Sequence, residues 1–182
     1  NRLTAEIARR ETLESELTHL ANHDPLTDLL NRRAFFEEAE REMSRSRRRR
    51  HPVSLMMIDA DHFKQINDRF GHHTGDEALR RIAWACREDL RTDDVIGRSG
   101  GEEFAVLMPG ADLTLAHRVA DRLRSRIADG LLDHPEGDVP ITVSIGVVEC
   151  HPWGEAVADA MQRADAAMYM AKTQGRNRVV PA

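Results

Sequence analysis

Four acidic residues are the most informative chemical groups of the 182-residue sequence. Asp59 and Asp61 follow an apolar run, Val53 to Ile58, that is short enough to be a buried strand. Glu102 and Glu103 follow two glycines in a segment whose pattern predicts a β-hairpin. If the hairpin lies beside the first strand, up to four carboxylates converge on one sheet edge, where they repel one another unless cations hold them.

Mg²⁺ is the natural cation for such a cluster, and Mn²⁺ is a substitute. Mg²⁺ prefers carboxylate oxygens, keeps several waters and bridges to substrate phosphates, so a nucleoside triphosphate is the natural substrate. In the alternative interpretation, Asp59 and Asp61 cap the next helix, while Glu102 and Glu103 are solvated turn residues. Spacing alone does not decide between the two interpretations.

The elements that must position these acids follow from the spacing of apolar residues. Leu3, Leu13, Leu17 and Leu20 fall on a and d positions of a heptad, which predicts a short, imperfect coiled coil that pairs two copies in parallel. Turn residues from Asn22 to Asp28 then break the helical pattern. We therefore expect an N-terminal linker helix over 1–22 and one folded domain over 23–182.

Helical and strand patterns alternate through that domain. After a first helix the predicted order is βααββαβ, with a hairpin over 95–108 whose turn glycines, Gly100 and Gly101, are expected to supply positive φ angles. A helix over 157–168 and a short strand near Val179 end the pattern. This order indicates an α+β fold, with an antiparallel-rich central sheet and helices on one face, rather than a doubly wound parallel sheet.

Composition excludes several classes of protein. A formal net charge of −5 gives no reason to expect binding to a nucleic-acid polymer, and Arg47 to Arg50 are interpreted as a solvated helix end. No apolar run approaches the ~20 residues of a membrane span, so no membrane contact is expected of this segment. Cys86 and Cys150 look like buried thiols suited to a reducing cytoplasm. The start at Asn1 favours a piece of a longer protein, with an upstream sensor or membrane anchor.

Six short motifs give these residues a family context. The segment Gly100-Gly101-Glu102-Glu103-Phe104 resembles the signature of the GGDEF family of diguanylate cyclases, in its variant with Glu at the third position. The other segments that resemble family motifs, in the family's order, are Asp24 to Arg32, Asp59 to Asp68, Gly71 to Asp76, Val143 to Val147 and Lys172 to Asn177. The resemblance covers about residues 22 to 180 and is highly specific. It implies a fold like those of nucleotidyl cyclases and polymerase palms.

The resemblance also implies a mechanism. Asp59, Glu102 and the backbone carbonyl of Ala60 would bind two Mg²⁺ ions that clamp GTP, and Glu103, or Glu102 through a metal, would be the base that accepts the proton of the attacking 3′ hydroxyl. The residues implied in substrate binding are Lys64, Asn67, Asp76, Arg98, Gly100, Gly101, Lys172 and Arg176. Asn67 and Asp76 would recognise guanine. The product would be cyclic di-GMP, released with pyrophosphate.

Two further implications concern control. Each domain would hold one GTP, so catalysis would need a homodimer formed through the N-terminal helix. Arg91 and Asp94 form an RxxD pattern that resembles a site for feedback inhibition by cyclic di-GMP, with Arg122 as a further contact. The main alternative is a catalytically inactive GGDEF-like receptor of GTP or cyclic di-GMP. His72 and His73 lack a second ligand pair at metal spacing, and no P-loop motif is present.

Overall fold

The computed structural model describes residues 2–151 and 154–182, with side chains from residue 6 onward. In this part of the chain the elements are α1 (Arg2–Asn22), α2 (Arg32–Arg49), β1 (Val53–Ala60), α3 (Phe63–Phe70), α4 (His72–Asp89), β2 (Val95–Arg98), β3 (Glu103–Pro109), α5 (Leu113–Ala128), β4 (Leu131–Leu132), β5 (Val139–Pro140), β6 (Val143–Glu149), α6 (Val157–Thr173) and β7 (Arg178–Pro181).

A five-stranded sheet with the order β2-β3-β1-β6-β7 organises the domain. The central strand β1 pairs antiparallel with β3 and β6, β2 and β3 form the predicted hairpin, and β7 adds in parallel to β6. Every residue of β1 is buried. The α+β class with an antiparallel-rich sheet is therefore confirmed.

Helices cover both faces of this sheet. One face packs against α4 and α5, through residues such as Leu79 and Leu123, and the opposite face packs against α2 and α6, through residues such as Phe35 and Met168. The expectation of helices on one face was wrong. The physical reason is visible in β1 and β3, whose apolar residues run consecutively instead of alternating, as in strands that are buried on both sides.

Two local features depart from the sequence expectations. A small two-stranded sheet, β4 with β5, was not predicted, because each strand has only two residues. The glycines with positive φ lie elsewhere in the described chain, so Gly100 and Gly101 do not serve the hairpin through such angles. That expectation was also wrong.

Helix α1 ends at Asn22 and presents its apolar face to solvent. Leu17 and Leu20 are 66% and 71% exposed, and Leu13 is about half exposed. The side chain of Leu3 lies outside the described side chains. In a single chain these leucines lack a packing partner among the described residues, and the coiled coil stays a prediction. None of the helices described is long and apolar enough to cross a membrane.

Candidate functional site

A buried carboxylate at the end of β1 forms the centre of the site. Asp59 is 5% exposed and lies directly opposite Glu103 of β3 in the strand register. The ammonium of Lys172, at the end of α6, lies 2.9 Å from Oδ2 of Asp59. Burial raises the pKa of Asp59 to about 6; Lys172 opposes the rise, and the nearby charges of Glu102 and Glu103 add to it.

The hairpin tip is bonded to the end of β1. The amide of Ala60 donates to the carbonyl of Glu102 at 3.2 Å, and both Glu102 and Glu103 are half-buried. The hairpin therefore brings its two acids to the strand that carries Asp59, which is the condition under which the sequence pattern indicated converging carboxylates. Three carboxylates, those of Asp59, Glu102 and Glu103, therefore share this edge. Glu102 and Glu103 are not merely solvated turn residues, because both are half-buried next to β1.

Asp61 has a different environment. Its carboxylate is 3% exposed and accepts hydrogen bonds from the hydroxyls of Thr142 at 2.8 Å and Ser144 at 2.7 Å, and from the amide of Asn177 at 3.0 Å. Helix α3 begins after His62 without a side-chain cap. Asp61 therefore neither joins a cluster of four carboxylates nor caps the helix, and both sequence interpretations of this residue were wrong.

Asp61 instead fixes the turn that carries Arg176. Gly175, Arg176 and Asn177 all have positive φ, of 116°, 61° and 44°, and the two non-glycine residues hold this conformation only because the surroundings impose it. Besides the bond to Asp61, Arg124 of α5 donates to Oδ1 of Asn177 at 3.0 Å. The guanidinium of Arg176 is thereby presented to solvent beside the end of α6.

The glycine turn is held by Arg98. Its guanidinium donates to the carbonyl of Gly101 at 2.6 and 3.1 Å and forms an ion pair with Asp24 at 3.0 Å. Asp24 also accepts the hydroxyl of Thr27 at 2.7 Å. The donors of Arg98 are thus engaged within the protein, where they connect the segment after α1 to the turn, and its predicted contact with substrate stays a prediction.

The two turn glycines differ in what surrounds them. A Cβ on Gly100 would lie 2.7 Å from Oε2 of Glu103, whereas a Cβ on Gly101 would meet nothing within 4 Å. The carboxylate of Glu103 therefore folds over Gly100. The space at Gly101 is open, which suits the approach of a phosphate to the backbone.

The residues predicted to recognise guanine lie on α3 and α4. Asn67 is half-buried on α3, Asp76 is half-buried on α4, and Lys64 is exposed near the start of α3. The amide oxygen of Asn67 lies against Gly75, the residue before Asp76, where a Cβ would be only 1.9 Å away. The fold therefore places Asn67 beside the segment that carries Asp76.

Of the residues predicted to bind product, Arg91 and Asp94 lie between α4 and β2, and Arg122 lies on α5. The amide of Arg91 donates to Oδ2 of Asp94 at 2.8 Å, and burial raises the pKa of that carboxyl. Arg122 of α5 donates to the carbonyl of Asp89 at 2.7 Å, at the end of α4. Arg91 and Arg122 are thus both anchored around the end of α4, and β2 leads from there to the glycine turn.

The donor set at the carboxylate edge fits Mg²⁺. In the described residues no three His, Cys, Asp or Glu side chains form a group able to hold a metal on their own, which also applies to His72 and His73. Mg²⁺ is commonly held by one or two carboxylates together with waters and substrate phosphates, so Asp59, Glu102 and the Ala60 carbonyl could hold the ion together with the oxygens of a bound triphosphate. Such a cation would offset the cost of burying the Asp59 charge and the repulsion from Glu102 and Glu103, which together raise the pKa of Asp59.

Sequence reasoning did not find the residues that hold the site in place. Thr142, Ser144 and Arg124 had no role before the structure was known. Ser144 did carry a signal, because it is a polar residue inside the apolar run of β6 and is completely buried. Such a residue requires a hydrogen-bonding partner.

Sequence comparison decides the family. The sequence model described as diguanylate cyclase, GGDEF domain, matches residues 21–178. The chain belongs to the GGDEF family of diguanylate cyclases. The motifs singled out from the sequence are therefore GGDEF motifs, and the sheet edge that carries Glu102 and Glu103 is the part of the domain that gives the family its name.

Two relatives show how far the similarity extends. The diguanylate cyclase DgcM of Escherichia coli is 39% identical over 177 residues, which cover 97% of this chain and 42% of DgcM. The crystal structure of the coiled coil and GGDEF domain of DgcB from Caulobacter crescentus, in complex with c-di-GMP, is 33% identical with a TM-score of 0.92. The superposition covers 100% of this chain and 96% of the DgcB chain.

A third relative was solved together with a partner protein. The diguanylate cyclase SiaD of Pseudomonas aeruginosa, in complex with its activator SiaC, is 38% identical with a TM-score of 0.86, over 100% of this chain and 71% of SiaD. The chain spans about two fifths of the length of the curated relatives it matches.

Proposed function

We propose that this GGDEF domain condenses two GTP molecules into cyclic di-GMP with release of two pyrophosphates. The observation that carries the proposal is the opposition of Asp59 and Glu103 across β1 and β3, with Glu102 alongside and Lys172 at 2.9 Å from Asp59. Buried carboxylates on one sheet edge, next to an open glycine turn and cationic side chains, suit a metal-bound triphosphate. Membership of the family supports the same chemistry.

In each half-reaction the 3′ hydroxyl of one GTP attacks the α-phosphorus of the other in line, and pyrophosphate leaves. Asp59, Glu102 and the Ala60 carbonyl would hold the metal; when bound, Mg²⁺ neutralises phosphate charge and orients the triphosphate. Glu103, half-buried and opposite Asp59, would accept the proton of the 3′ hydroxyl, with Glu102 as the alternative base.

Three cations would stabilise the departing pyrophosphate. Lys172 is already at the carboxylate edge, Arg176 is exposed on the adjacent turn, and Lys64 is exposed at the start of α3. Positive charge aimed at the leaving oxygens lowers the barrier, because negative charge develops there in the transition state. The open backbone at Gly101 would let phosphate oxygens approach the amides of the turn.

Guanine would be recognised by Asn67 and Asp76. A carboxylate accepts the neighbouring N1–H and N2–H donors of guanine, which adenine does not offer in that arrangement. Asp76 follows Gly75 directly, and Gly75 contacts the amide of Asn67. This proximity supports a shared site for one base.

Two copies of the domain would have to face each other, because one site holds one nucleotide and the product contains two. The exposed leucines of α1 support pairing through this helix as a parallel coiled coil. An upstream sensor that changes this pairing would regulate the rate. The buried free thiols of Cys86 and Cys150 suit the reducing cytoplasm, where we place the domain.

Product would limit its own synthesis through Arg91, Asp94 and Arg122. An arginine fork binds phosphate bidentately and stacks on a guanine face. Arg91 is exposed, and Arg122 is anchored to the same end of α4. The related DgcB structures that contain bound c-di-GMP support a cyclic dinucleotide as ligand of this site.

The direct test is to incubate the purified chain with GTP and Mg²⁺ over a range of protein concentrations and to separate the nucleotides by chromatography with mass detection. Cyclic di-GMP should appear with steeper than linear dependence on protein, and Glu103→Gln should abolish it. Glu136→Gln, which changes an exposed glutamate outside the carboxylate edge, is the matched control. Absence of product, even with α1 fused to a strong parallel dimeriser, would overturn the cyclase proposal in favour of the receptor.

A further inference from the structure

Gly75 lies in an unusual position for a glycine. It is the fourth residue of α4, is buried, and occupies a helix interior, where glycine is less favourable than alanine. An ideal Cβ on Gly75 would lie 1.9 Å from Oδ1 of Asn67, 2.9 Å from its Cγ and 3.4 Å from its Nδ2. The side-chain amide of Asn67 therefore lies against the Cα of Gly75.

Backbone conformation does not explain this glycine. Gly71, four residues earlier, has a φ of 85° and open space around its missing side chain, so Gly71 serves the turn between α3 and α4. Gly75 is not among the residues with positive φ. Its requirement is one of space, and the group that fills the space is the amide of Asn67.

Hydrogen bonds hold the backbone of the turn between α3 and α4, next to this contact. The amide of Gly71 donates to the carbonyl of Asn67 at 2.9 Å, and the hydroxyl of Thr74 donates to the carbonyl of Phe70 at 2.9 Å. The first bond closes the C-terminal end of α3, and the second joins that end to the first turn of α4. A Cβ at Gly75 would turn the flexible side chain of Asn67 away, while the fold would persist.

We propose that Gly75 is a positioning residue for base selection, since its missing side chain forms the slot that orients the amide of Asn67 beside Asp76. This inference rests on the proposed function, in which both side chains recognise guanine. An amide offers a hydrogen-bond donor and an acceptor to the edge of a base. The hydrogen bonds are lost when the amide is turned so that donor faces donor or acceptor faces acceptor. Gly75 would thus set selectivity for the base without touching the nucleotide.

The prediction is a selective loss of affinity in Gly75→Ala. Binding is measured by calorimetry with 3′-deoxy-GTP, which cannot be the attacking nucleotide, and with 3′-deoxy-ITP, which lacks the 2-amino group of guanine. The 2-amino group of guanine has a second hydrogen, which the amide oxygen of Asn67 would accept beside Asp76. Gly75→Ala should therefore weaken binding of the guanine nucleotide about tenfold and that of the hypoxanthine nucleotide less than about twofold. Turnover at saturating GTP should change far less than the KM for GTP.

A double-mutant cycle tests whether the effect passes through Asn67. In an Asn67→Ala background, Gly75→Ala should change the affinity for 3′-deoxy-GTP by less than about twofold. Gly130→Ala is the matched control, because a Cβ there would also press on a flexible side chain, with the guanidinium of Arg81 within 2.8 Å, far from the base-recognition residues. Gly130→Ala should leave both affinities unchanged.

The outcomes that would overturn the inference differ from the outcome that would overturn the function on which it rests. The role of Gly75 would be overturned if Gly75→Ala reduced the affinity for 3′-deoxy-GTP equally in the parent chain and in the Asn67→Ala background. It would also be overturned if Gly75→Ala reduced the affinities for both nucleotides equally. Loss of guanine selectivity only when Asn67 is replaced, and not in Gly75→Ala, would do the same. A parent chain that neither binds GTP nor forms cyclic di-GMP would instead overturn the proposed function.

Discussion

Asp59 and Glu103 face each other across the antiparallel pair of β1 and β3, and Lys172 lies 2.9 Å from the Asp59 carboxylate. Like charges in directly opposed positions destabilise a sheet. Burial, with smaller contributions from the charges of Glu102 and Glu103, raises the pKa of Asp59 to about 6, well above its ordinary value of 3.8. The edge that is proposed to perform the chemistry is therefore a strained part of the free domain.

The pH dependence of stability should reveal this strain. The folded state holds the Asp59 proton more tightly than the unfolded state, so protonation of Asp59 contributes to the free energy of unfolding. This contribution is fully present below about pH 3.8 and is lost as the pH rises through about 6. Without metal, Asp59→Asn should raise the free energy of unfolding at pH 8 by on the order of 1 kcal/mol. Urea denaturation from pH 5 to 8 in EDTA measures this. A variant less stable than the parent at pH 8 would contradict the assigned environment.

The turn glycines should respond differently to substitution. Gly101→Ala places a Cβ in open space, so the free chain should keep its stability while the KM for GTP rises by about tenfold or more through exclusion of phosphate from the backbone. Gly100→Ala pushes on the Glu103 carboxylate and should lower kcat instead. Steady-state kinetics with thermal unfolding separate the two cases. Unchanged kinetics in Gly101→Ala would exclude close approach of phosphate at that position.

Asp61 should act on catalysis only through the turn it holds. The carboxylate of Asp61 accepts hydrogen bonds from three donors, and Asp61→Asn replaces one of its oxygens with a donor. We therefore expect the free energy of unfolding to fall by about 2 kcal/mol. We also expect the KM for GTP to rise by a larger factor than kcat falls. Thr142→Val removes one of the donors and should cost about 1 kcal/mol. Denaturation and initial-rate measurements test both. A collapse of kcat at unchanged KM would instead assign Asp61 to the reaction itself.

Feedback inhibition should depend on Arg91. Arg91→Ala is expected to raise the concentration of cyclic di-GMP that halves the rate by about tenfold, while the initial rate stays nearly intact, since Arg91 is exposed and removed from the carboxylate edge. Rates measured against added product test this. Thr92→Ala, an adjacent exposed change, serves as the control. Inhibition that is unaltered in Arg91→Ala would remove the product site from this position.

The exposed leucines of α1 should control association. Replacing Leu17 and Leu20 together by Lys should weaken dimerisation in sedimentation experiments and lower specific activity most at low protein concentration. Deletion of residues 1–20 should have the same effect. Glu11→Gln is the control, because Glu11 lies on the same helix outside the heptad positions of the leucines, and it should leave association unchanged. Activity and concentration dependence that survive the deletion unchanged would exclude α1 from dimerisation.

Sequence patterns predicted the parts of this molecule that depend on local order. The hairpin, the strand that ends at Asp59 and the meeting of the hairpin acids with that strand follow from short apolar runs and turn residues. The partners of Asp61 do not, because Thr142, Ser144 and Asn177 are separated from it by 81, 83 and 116 residues. The second layer of helices was missed because consecutive apolar residues were not interpreted as burial on both faces.

The last strand of the sheet has a consequence for the order in which the chain becomes competent during synthesis. Strand β7 pairs in parallel with β6, and the turn before it supplies the Asn177 amide to Asp61 and carries Arg176. A ribosome-bound chain that has not yet released this segment would contain every acid of the carboxylate edge and still lack the ordered turn that carries Arg176. Chains terminated before β7 should therefore be inactive in the proposed reaction, so competence is gained only after the segment through β7 has been synthesised.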